Sequence, residues 1–268
     1  MKIGFLPLYI ALYDEISTEY RDRMEPFYET LAQELEKRGA QVVRSPFCRI
    51  KEEFQRTVAL FKKEEVDAIV TLHLAYSPSL EALDSLLDAD LPIIVMDTTE
   101  TLTFTNEQDP DHIMYNHGIH GVMDLCSMLN RHGKPYAIAA GHWQESDCLD
   151  QVCGYVRAAI SAKAISRARV GLIGGSFAGM GDFRVPFGEM KERFGITVVE
   201  ADREEICTYL NELTAKISGR QVYTGVVEAT ATGNLLCQML ATGIFSDRRE
   251  ARDTVARSFD VKQTIVTI

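Results

Sequence analysis

The sequence predicts an α/β fold, namely a doubly wound parallel sheet of Rossmann or flavodoxin type followed by a second, partial α/β domain. Short apolar segments alternate along the chain with helical segments of roughly ten to fifteen residues. Several of these helical segments carry one apolar stripe, such as Val122, Leu125, Met128 and Leu129. Strands joined by helices imply right-handed crossovers, which build a parallel sheet with helices on both faces.

The first predicted domain comprises residues 1–165. Its strands are predicted at residues 2–6, 41–45, 68–72, 92–96 and 136–140. Its helices are predicted at residues 24–38, 51–64, 79–87, 118–131 and 147–164. Gly39 and Gly133 are the stop signals of the helices before them, because glycine readily adopts the left-handed conformation that ends a helix.

The second predicted domain comprises residues 166–268 and is expected to be incomplete. Its predicted strands are residues 169–173, 197–200 and 222–227, and its predicted helices are residues 203–215, 234–241 and 248–257. No repeat or Pro/Ser-rich linker marks the boundary, so its position rests on the start of a new strand-helix alternation.

The glycine-rich segment 174–179 leaves a nucleotide-binding alternative open. It follows a predicted strand, and Glu200 lies 21 residues after Gly179 at the end of the next one, which imitates a dinucleotide fingerprint. The glycine spacing, however, fits neither GxGxxG nor a phosphate loop ending in Gly-Lys-Ser/Thr. We therefore favour a tight turn at a strand exit.

Composition limits the classes of partner. The net charge is −11, from 39 acidic and 28 basic residues, and the basic residues form no stripe, which argues against nucleic acid or an anionic membrane surface. No apolar run approaches the roughly 20 residues that span a bilayer. The first ten residues lack the layout of a signal peptide. We expect a soluble cytoplasmic protein.

The six cysteines form no CxxC pair and no zinc-type spacing with histidine. We expect them to be reduced and mostly buried, as in a cytosolic protein. Cys148 and Cys153 beside His142 are a possible metal site. Two cysteines spaced in this way on a helix are more simply explained as packing positions.

The segment from Met114 to Gln144 concentrates the candidate functional residues. His117 and His120 lie at the beginning of a predicted helix, and His142 follows the next predicted strand. In parallel α/β sheets, ligands bind beyond the carboxyl ends of the strands and at nearby helix N-termini. Both histidine groups are therefore expected at the same edge of the sheet.

Roughly the first 200 residues resemble the sugar isomerases of the L-arabinose isomerase and L-fucose isomerase group. The motifs that carry the resemblance are Leu8-Tyr9, Leu72-His73 with Ser77-Pro78, Asn116 with His120-Gly121, and Gly141-His142-Trp143-Gln144. The pattern cannot be followed beyond about residue 215.

The resemblance implies aldose–ketose isomerisation, which needs a divalent metal together with acid and base groups. In that group Mn²⁺ and the catalytic residues belong to later regions, so we assign no catalytic or metal-binding residue here, expect no cofactor in this chain, and expect the chain alone to be inactive. The resemblance assigns substrate contacts across a subunit interface to Leu8, Tyr9 and His120, in a homo-oligomer that binds a sugar. Leu6 stands where the arabinose enzymes have glutamine, which leaves the sugar undetermined.

Other assignments stay open. His120 is either a hydrogen-bonding partner of a sugar hydroxyl or a histidine satisfied by carbonyl groups at the helix start, and His117 with His120 could in principle hold a metal. His117, His142 and Trp143 are secondary site candidates, although Trp143 more readily serves as a core or interface anchor. The alternative function is a non-catalytic sugar-binding or regulatory module, since two α/β domains around a cleft suit that task.

Overall fold

The computed structural model describes residues 1–175, 179–226 and 228–264. The chain divides into two compact units, Met1–Ser166 and Arg167–Ile268. No helix within the described ranges is long and apolar enough to cross a membrane.

The first unit contains a parallel sheet of five strands, which confirms the predicted fold class. The strands are β1 (Lys2–Leu8), β2 (Gln41–Arg44), β3 (Ala68–His73), β4 (Ile93–Asp97) and β5 (Tyr136–Ala140). Their order in the sheet is β2-β1-β3-β4-β5, and each neighbouring pair is parallel. This is the flavodoxin-like order, in which the chain reverses its direction of travel across the sheet beside β1.

Six helices belong to the first unit: α1 (Ala11–Ile16), α2 (Glu19–Lys37), α3 (Lys51–Lys63), α4 (Ser79–Leu87), α5 (Ile119–Arg131) and α6 (Cys148–Ser166), with a 3₁₀ helix at Pro110–Tyr115. Helices α2 and α6 pack into one core against the sheet, and α3, α4 and α5 pack into the other. Phe5 of β1 points into the first core and Leu6 into the second, so the strand is apolar on both faces.

Strand β1 continues two residues past its predicted end, through Pro7. The Pro7 carbonyl accepts a hydrogen bond from the Cys48 amide on the β2 side, so the proline nitrogen faces that side too. The pairing of β1 with β2 ends at Phe5 and Arg44. A missing N–H at Pro7 therefore removes no ladder hydrogen bond, and the strand tolerates the proline.

Helix α1 was not predicted from the sequence. It contains no buried residue, and Leu12 and Ile16 are exposed, so it lacks the apolar stripe that identifies a core helix. Helix α2 also begins earlier than predicted, at Glu19, ahead of Pro26.

The second unit contains two small sheets. Strands β6 (Arg169–Ile173) and β7 (Thr197–Ala201) are parallel, and β8 (Val222–Thr224) pairs with β9 (Lys262–Thr264) in antiparallel fashion. Its helices are α7 (Phe187–Phe194), α8 (Arg203–Ser218), α9 (Ala229–Ala241) and α10 (Arg248–Ser258), with a 3₁₀ turn at Gly181–Phe183. Part of the predicted glycine loop, residues 176–178, and the predicted strand residue Val227 lie outside the described residues.

The two units differ in how much apolar surface they bury. The first contains two extended cores. In the second, the buried residues among those described are Ala215, Phe245 and Ala251, whereas Ile173 and Ile217 are 61% and 78% exposed. The second unit as described therefore has little core of its own.

Candidate ligand-binding site

The carboxyl end of β1 lies at the reversal of strand order. Leu8, the last residue of β1, is the register partner of His73, the last residue of β3. The Leu74 amide donates to the Leu8 carbonyl at 3.1 Å, and the Tyr9 amide donates to the Cys48 carbonyl at 3.0 Å. Tyr9 and His73 thus begin the loops at the position where open α/β sheets bind ligands.

Five rings form a continuous group here, which we call the tyrosine–histidine cluster: Tyr9, Tyr13, Tyr20, Tyr115 and His117. Their ring centroids are 5.9 Å apart for Tyr9 and Tyr13, 5.9 Å for Tyr13 and Tyr20, 6.0 Å for Tyr13 and His117, and 6.0 Å for Tyr20 and Tyr115. These separations fall within the range of favourable aromatic pairs. The cluster joins α1 and α2 to the segment before α5.

Tyr9 is the most unusual member of the cluster. Its side chain is fully buried, and its hydroxyl has no hydrogen-bond partner among the described residues. Burial, and then the negative charge of Asp14, raise the pKa of its phenol well above the usual value. Buried Tyr28 differs, because its hydroxyl donates to the Phe5 carbonyl at 3.0 Å and accepts from the Ser45 amide at 3.1 Å.

Tyr13 and His117 connect α1 to the loop before α5. The Tyr13 hydroxyl lies 2.9 Å from Nε2 of His117. Burial lowers the pKa of His117, and the nearby His120 lowers it further, whereas the carbonyl groups of Ile113 and Met114 oppose the shift. A neutral imidazole at this position can accept a hydrogen bond from the Tyr13 hydroxyl.

Asp14 anchors α1 on its other side. One carboxylate oxygen accepts from Arg21 at 3.1 Å and also from Arg49, which additionally pairs with Glu53. Arg21, Arg49 and Phe47 also line a cleft of about 620 Å³ between α2 and α3, beside β2. The same two arginines therefore contact both Asp14 of α1 and this cleft.

His73 is buried against the first turn of α5. Among the described residues neither ring nitrogen has a hydrogen-bond partner, and burial lowers the pKa of His73 to about 3 although the charge of Asp124 opposes the shift. A Cβ atom on Gly118 would lie 2.2 Å from the His73 carbonyl oxygen, and one on Gly121 would lie 2.6 Å from Cδ2 of the ring. These two glycines let α5 approach β3, which fixes the position of His117.

The residues predicted as sugar contacts occupy different environments. Leu6 and Leu8 are 0% and 1% exposed and belong to the core beneath α3, α4 and α5, so their side chains face away from the cluster. Tyr9 lies in the cluster, and exposed His120 is adjacent to it, with its ring 6.3 Å from that of His117. A ligand-binding role for these residues stays a prediction.

His142 and Trp143 follow β5 at the same edge of the sheet. The His142 Nε2 lies 3.3 Å from the Glu100 carbonyl oxygen, and its Nδ1 accepts from the Gln144 amide at 3.3 Å, which places the proton on Nε2. Trp143 packs edge-on against Phe27 of α2 at 6.2 Å. Its indole N–H has no partner within the part of the chain that the structure describes.

Within the described ranges, no group of three or more His, Cys, Asp or Glu side chains is arranged to hold a metal ion. All six cysteines are free thiols: Cys48, Cys148 and Cys153 are buried, Cys126 is half-buried, and Cys207 and Cys237 are exposed. The expectation that this chain holds no cofactor stays a prediction.

Sequence reasoning missed Tyr13, Asp14, Arg21 and Arg49. Tyr13 gives no periodic signal, because Tyr9 precedes α1 and the two rings meet through the turn between them. The arginines give no such signal, because their pairing with Asp14 depends on the packing of α2 and α3 around β2.

Comparison with known proteins gives short matches to rhamnulokinases, and no family model matches the chain. The chain is 56% identical over 54 residues to the rhamnulokinase of Bacillus subtilis strain 168, which is 20% of this chain and 11% of that enzyme. It is 44% identical over 52 residues to the rhamnulokinase of Oceanobacillus iheyensis, again 11% of the enzyme. The matches thus span about a tenth of the length of these relatives.

Among solved structures, the chain is similar at a TM-score of 0.26 to a periplasmic solute-binding protein of Actinobacillus succinogenes 130z with bound D-allose, at 14% identity over 81% of this chain and 65% of that one. It is similar at 0.27 to the periplasmic binding protein of the arabinose transporter of Shewanella sp. ANA-3, bound to L-arabinofuranose, at 11% identity over 82% of this chain and 87% of that one. Structural similarities with TM-scores this low give no information about the ligand of this chain.

The matched relatives are sugar kinases, and these comparisons do not point to L-arabinose or L-fucose isomerases. The predicted membership of that manganese-dependent isomerase family is therefore wrong, and so is the isomerase function derived from it. The short motifs that suggested it, such as Leu8-Tyr9, also have structural explanations, because a buried strand that ends in leucine serves the core of any parallel sheet.

Proposed function

We propose that residues 1–166 form a non-catalytic binding module for a small polyhydroxylated ligand of the sugar class. The ligand would bind at the carboxyl edge of the sheet, where the tyrosine–histidine cluster lies beside the reversal of strand order. The observation that carries the proposal is the fully buried Tyr9 hydroxyl, which has no partner among the described residues.

A buried polar group without a partner costs about 1–3 kcal/mol of stability. A ligand hydroxyl bonded to Tyr9 would recover that cost on binding. A tyrosine phenol is protonated at neutral pH, and burial raises the pKa of Tyr9 further, so its hydroxyl can both donate and accept a hydrogen bond. A sugar hydroxyl has the same dual capacity.

The composition of the cluster favours a neutral ligand. Four of its rings are tyrosines, and His117 has a lowered pKa. Asp14 is already paired with Arg21 and Arg49, and the guanidinium of Arg23 lies over the Tyr115 ring, 4.0 Å from its centroid. The similarity of part of the chain to rhamnulokinases is consistent with a carbohydrate ligand.

Two matched substitutions test the proposal. Tyr9→Phe removes a hydroxyl that has no partner among the described residues, whereas Tyr28→Phe removes one that has two. We expect Tyr9→Phe to keep or raise the stability of the free protein and to weaken sugar binding by about 1–2 kcal/mol, the worth of one hydrogen bond. Tyr28→Phe should lower the free energy of unfolding by about 1–3 kcal/mol and leave the affinity unchanged.

The measurements are isothermal titration calorimetry with a panel of aldoses and ketoses, and urea unfolding followed by the fluorescence of Trp143. Tyr155→Phe changes an exposed tyrosine on α6, so it controls for the loss of a tyrosine hydroxyl outside the site. Absence of binding to every sugar at millimolar concentration would contradict the proposal, and so would unchanged affinity in Tyr9→Phe.

A sugar kinase function is the second candidate, favoured by the 56% identity over 54 residues to a rhamnulokinase. It predicts ATP-dependent phosphorylation of rhamnulose by the purified chain. Only 11% of that enzyme is matched, so we rank this function below ligand binding.

We also propose that the protein is a homo-oligomer and lies in the cytoplasm, as the sequence predicts. The exposed Ile119 and Met123 of α5 support self-association near the site, because they leave apolar surface uncovered. Light scattering at tens of micromolar should detect a dimer or larger species, and Met123→Glu should shift it towards monomer. A monodisperse wild-type monomer would contradict the oligomer.

A further inference from the structure

We infer that α1 is a lid over the Tyr9 hydroxyl, held shut by one hydrogen bond and one group of ion pairs. One residue, Ile10, separates Tyr9 from α1, and the Tyr13 ring of α1 packs edge-on against the Tyr9 ring at 5.9 Å. That the lid controls ligand entry rests on the proposed function. That the lid opens does not.

The helix itself contributes little to its own stability. It has six residues, none of them buried, and its N-cap residue Ile10 makes no side-chain capping bond. Segments with few buried contacts open at a lower free energy than the core around them. What holds α1 in place must therefore come from outside it.

Two latches supply those contacts. On one side the Tyr13 hydroxyl bonds to His117 at 2.9 Å, and on the other Asp14 pairs with Arg21 and Arg49. Both latches are polar, and Arg21 and Arg49 are 33% and 29% exposed, so water can replace their hydrogen bonds when α1 moves and can hydrate the largely buried Asp14. Release of α1 would remove the Tyr13 ring from Tyr9 and free Arg21 and Arg49, which also line the cleft between α2 and α3.

The unpartnered Tyr9 hydroxyl contributes free energy that favours opening of the lid. In the closed state the hydroxyl is buried and makes no hydrogen bond to the described residues, whereas water or a ligand could reach it once α1 moves. The closed state thus contains a penalty that opening removes.

Hydrogen–deuterium exchange of the full chain tests the lid without any ligand. The segment from Ile10 to Thr18 includes the Ser17 amide, which donates to the Tyr13 carbonyl at 2.9 Å and so reports directly on α1. Arg49→Gln weakens one latch, because it removes one of the two arginines that pair with Asp14. Arg44→Gln is the matched control, because Arg44 lies nearby and also has two carboxylate partners, Glu29 and Glu36, but none on α1.

We expect exchange in this segment to accelerate roughly tenfold in Arg49→Gln, the effect of losing about 1.4 kcal/mol of local stability, and to be unchanged in Arg44→Gln. Tyr13→Phe, a conservative change that breaks the other latch, should accelerate it in the same direction. In the variants with accelerated exchange, tetranitromethane should also nitrate Tyr9 faster, while buried Tyr28 provides the internal reference.

Equal exchange in wild type, Arg49→Gln and Tyr13→Phe would overturn the lid, as would equal acceleration by Arg44→Gln. Tyr9 nitration that stays as slow as that of Tyr28 in both latch variants would also overturn it. If α1 opens as expected but no sugar binds, the proposed function fails while the lid stands.

Discussion

The Tyr13 hydroxyl and Nε2 of His117 are 2.9 Å apart although 104 residues separate them in the chain. Tyr13 belongs to the helix after β1, and His117 precedes the helix that packs on β3 and β4. One hydrogen bond therefore ties together loops from both sides of the strand-order reversal. This contact links α1 and the tyrosine–histidine cluster to the first turn of α5.

Acid should destabilise the first unit through His73. This imidazole is neutral in the folded protein, with its pKa lowered to about 3 by burial, whereas a histidine in the unfolded chain titrates near 6.5. Between these two values the unfolded state binds one more proton, so stability falls as pH falls, by up to about 1.4 kcal/mol per pH unit. Urea unfolding from pH 7 to pH 4.5, followed by Trp143 fluorescence, measures the slope.

Replacing the imidazole isolates its share of that slope. His73→Asn should lower stability at pH 7 and reduce the pH slope, since it removes the most strongly lowered histidine pKa of the first unit and leaves the smaller contribution of His117 and the carboxylates. His132→Asn removes an exposed histidine at the end of α5 and serves as the control with wild-type behaviour. A slope that is the same in wild type and His73→Asn would show that His73 takes up its proton without unfolding.

Two helical glycines should respond to alanine with opposite signs. Gly121 lies in α5 where a Cβ would come within 2.6 Å of the His73 ring, while Gly154 lies in α6 with nothing within 4 Å of its Cβ position. We expect Gly121→Ala to destabilise by about 1–3 kcal/mol through overpacking, and Gly154→Ala to stabilise by about 0.5–1 kcal/mol through helix propensity. Chemical denaturation measures both, and stabilisation by Gly121→Ala would contradict the close packing of α5 on β3.

The sequence predicted the strands and most helices of the first unit, because their apolar periodicity directly reflects burial on a sheet. Strand Tyr136–Ala140 and helix Ser79–Leu87 have the predicted bounds. Helix α1 has no buried residue and therefore no apolar periodicity, so it was not predicted. Pro7 shortened the predicted β1, because whether a proline interrupts a ladder depends on which side its nitrogen faces.

The candidate site was predicted only in part, and the function derived from motif resemblance was wrong. His117 was expected at this edge from topology and Tyr9 was singled out by the motif resemblance, and both lie in the same cluster. The partners that give them their properties, Tyr13 and Asp14, are set by tertiary packing. Short motifs of two to four residues did not identify the family, since similar residues also arise from the demands of a parallel sheet.

Thiol labelling should separate the cysteines by unit. Cys207 and Cys237 are exposed and should react quickly with Ellman's reagent at pH 8. Cys48 should react only on unfolding, because it is buried and its burial raises the thiol pKa to about 11, which suppresses the reactive thiolate. Mass spectrometry of labelled peptides checks the order, and early labelling of Cys48 would contradict its burial.

Amide exchange should divide the chain at the boundary between its two units. Strands β1, β3 and β4 are paired on both sides and apolar on both faces, so their amides should exchange only on global unfolding. Strands β6 and β7 pair only with each other within the described residues, and their side chains Val170, Ile173 and Val199 are 47%, 61% and 39% exposed. Because little buried apolar area opposes their opening, we expect exchange there to be at least about a hundredfold faster than in β1. Protection of β6 and β7 equal to that of β1 would mean that the apolar side chains of the second unit are covered in solution, and cross-linking followed by mass spectrometry would then identify what covers them.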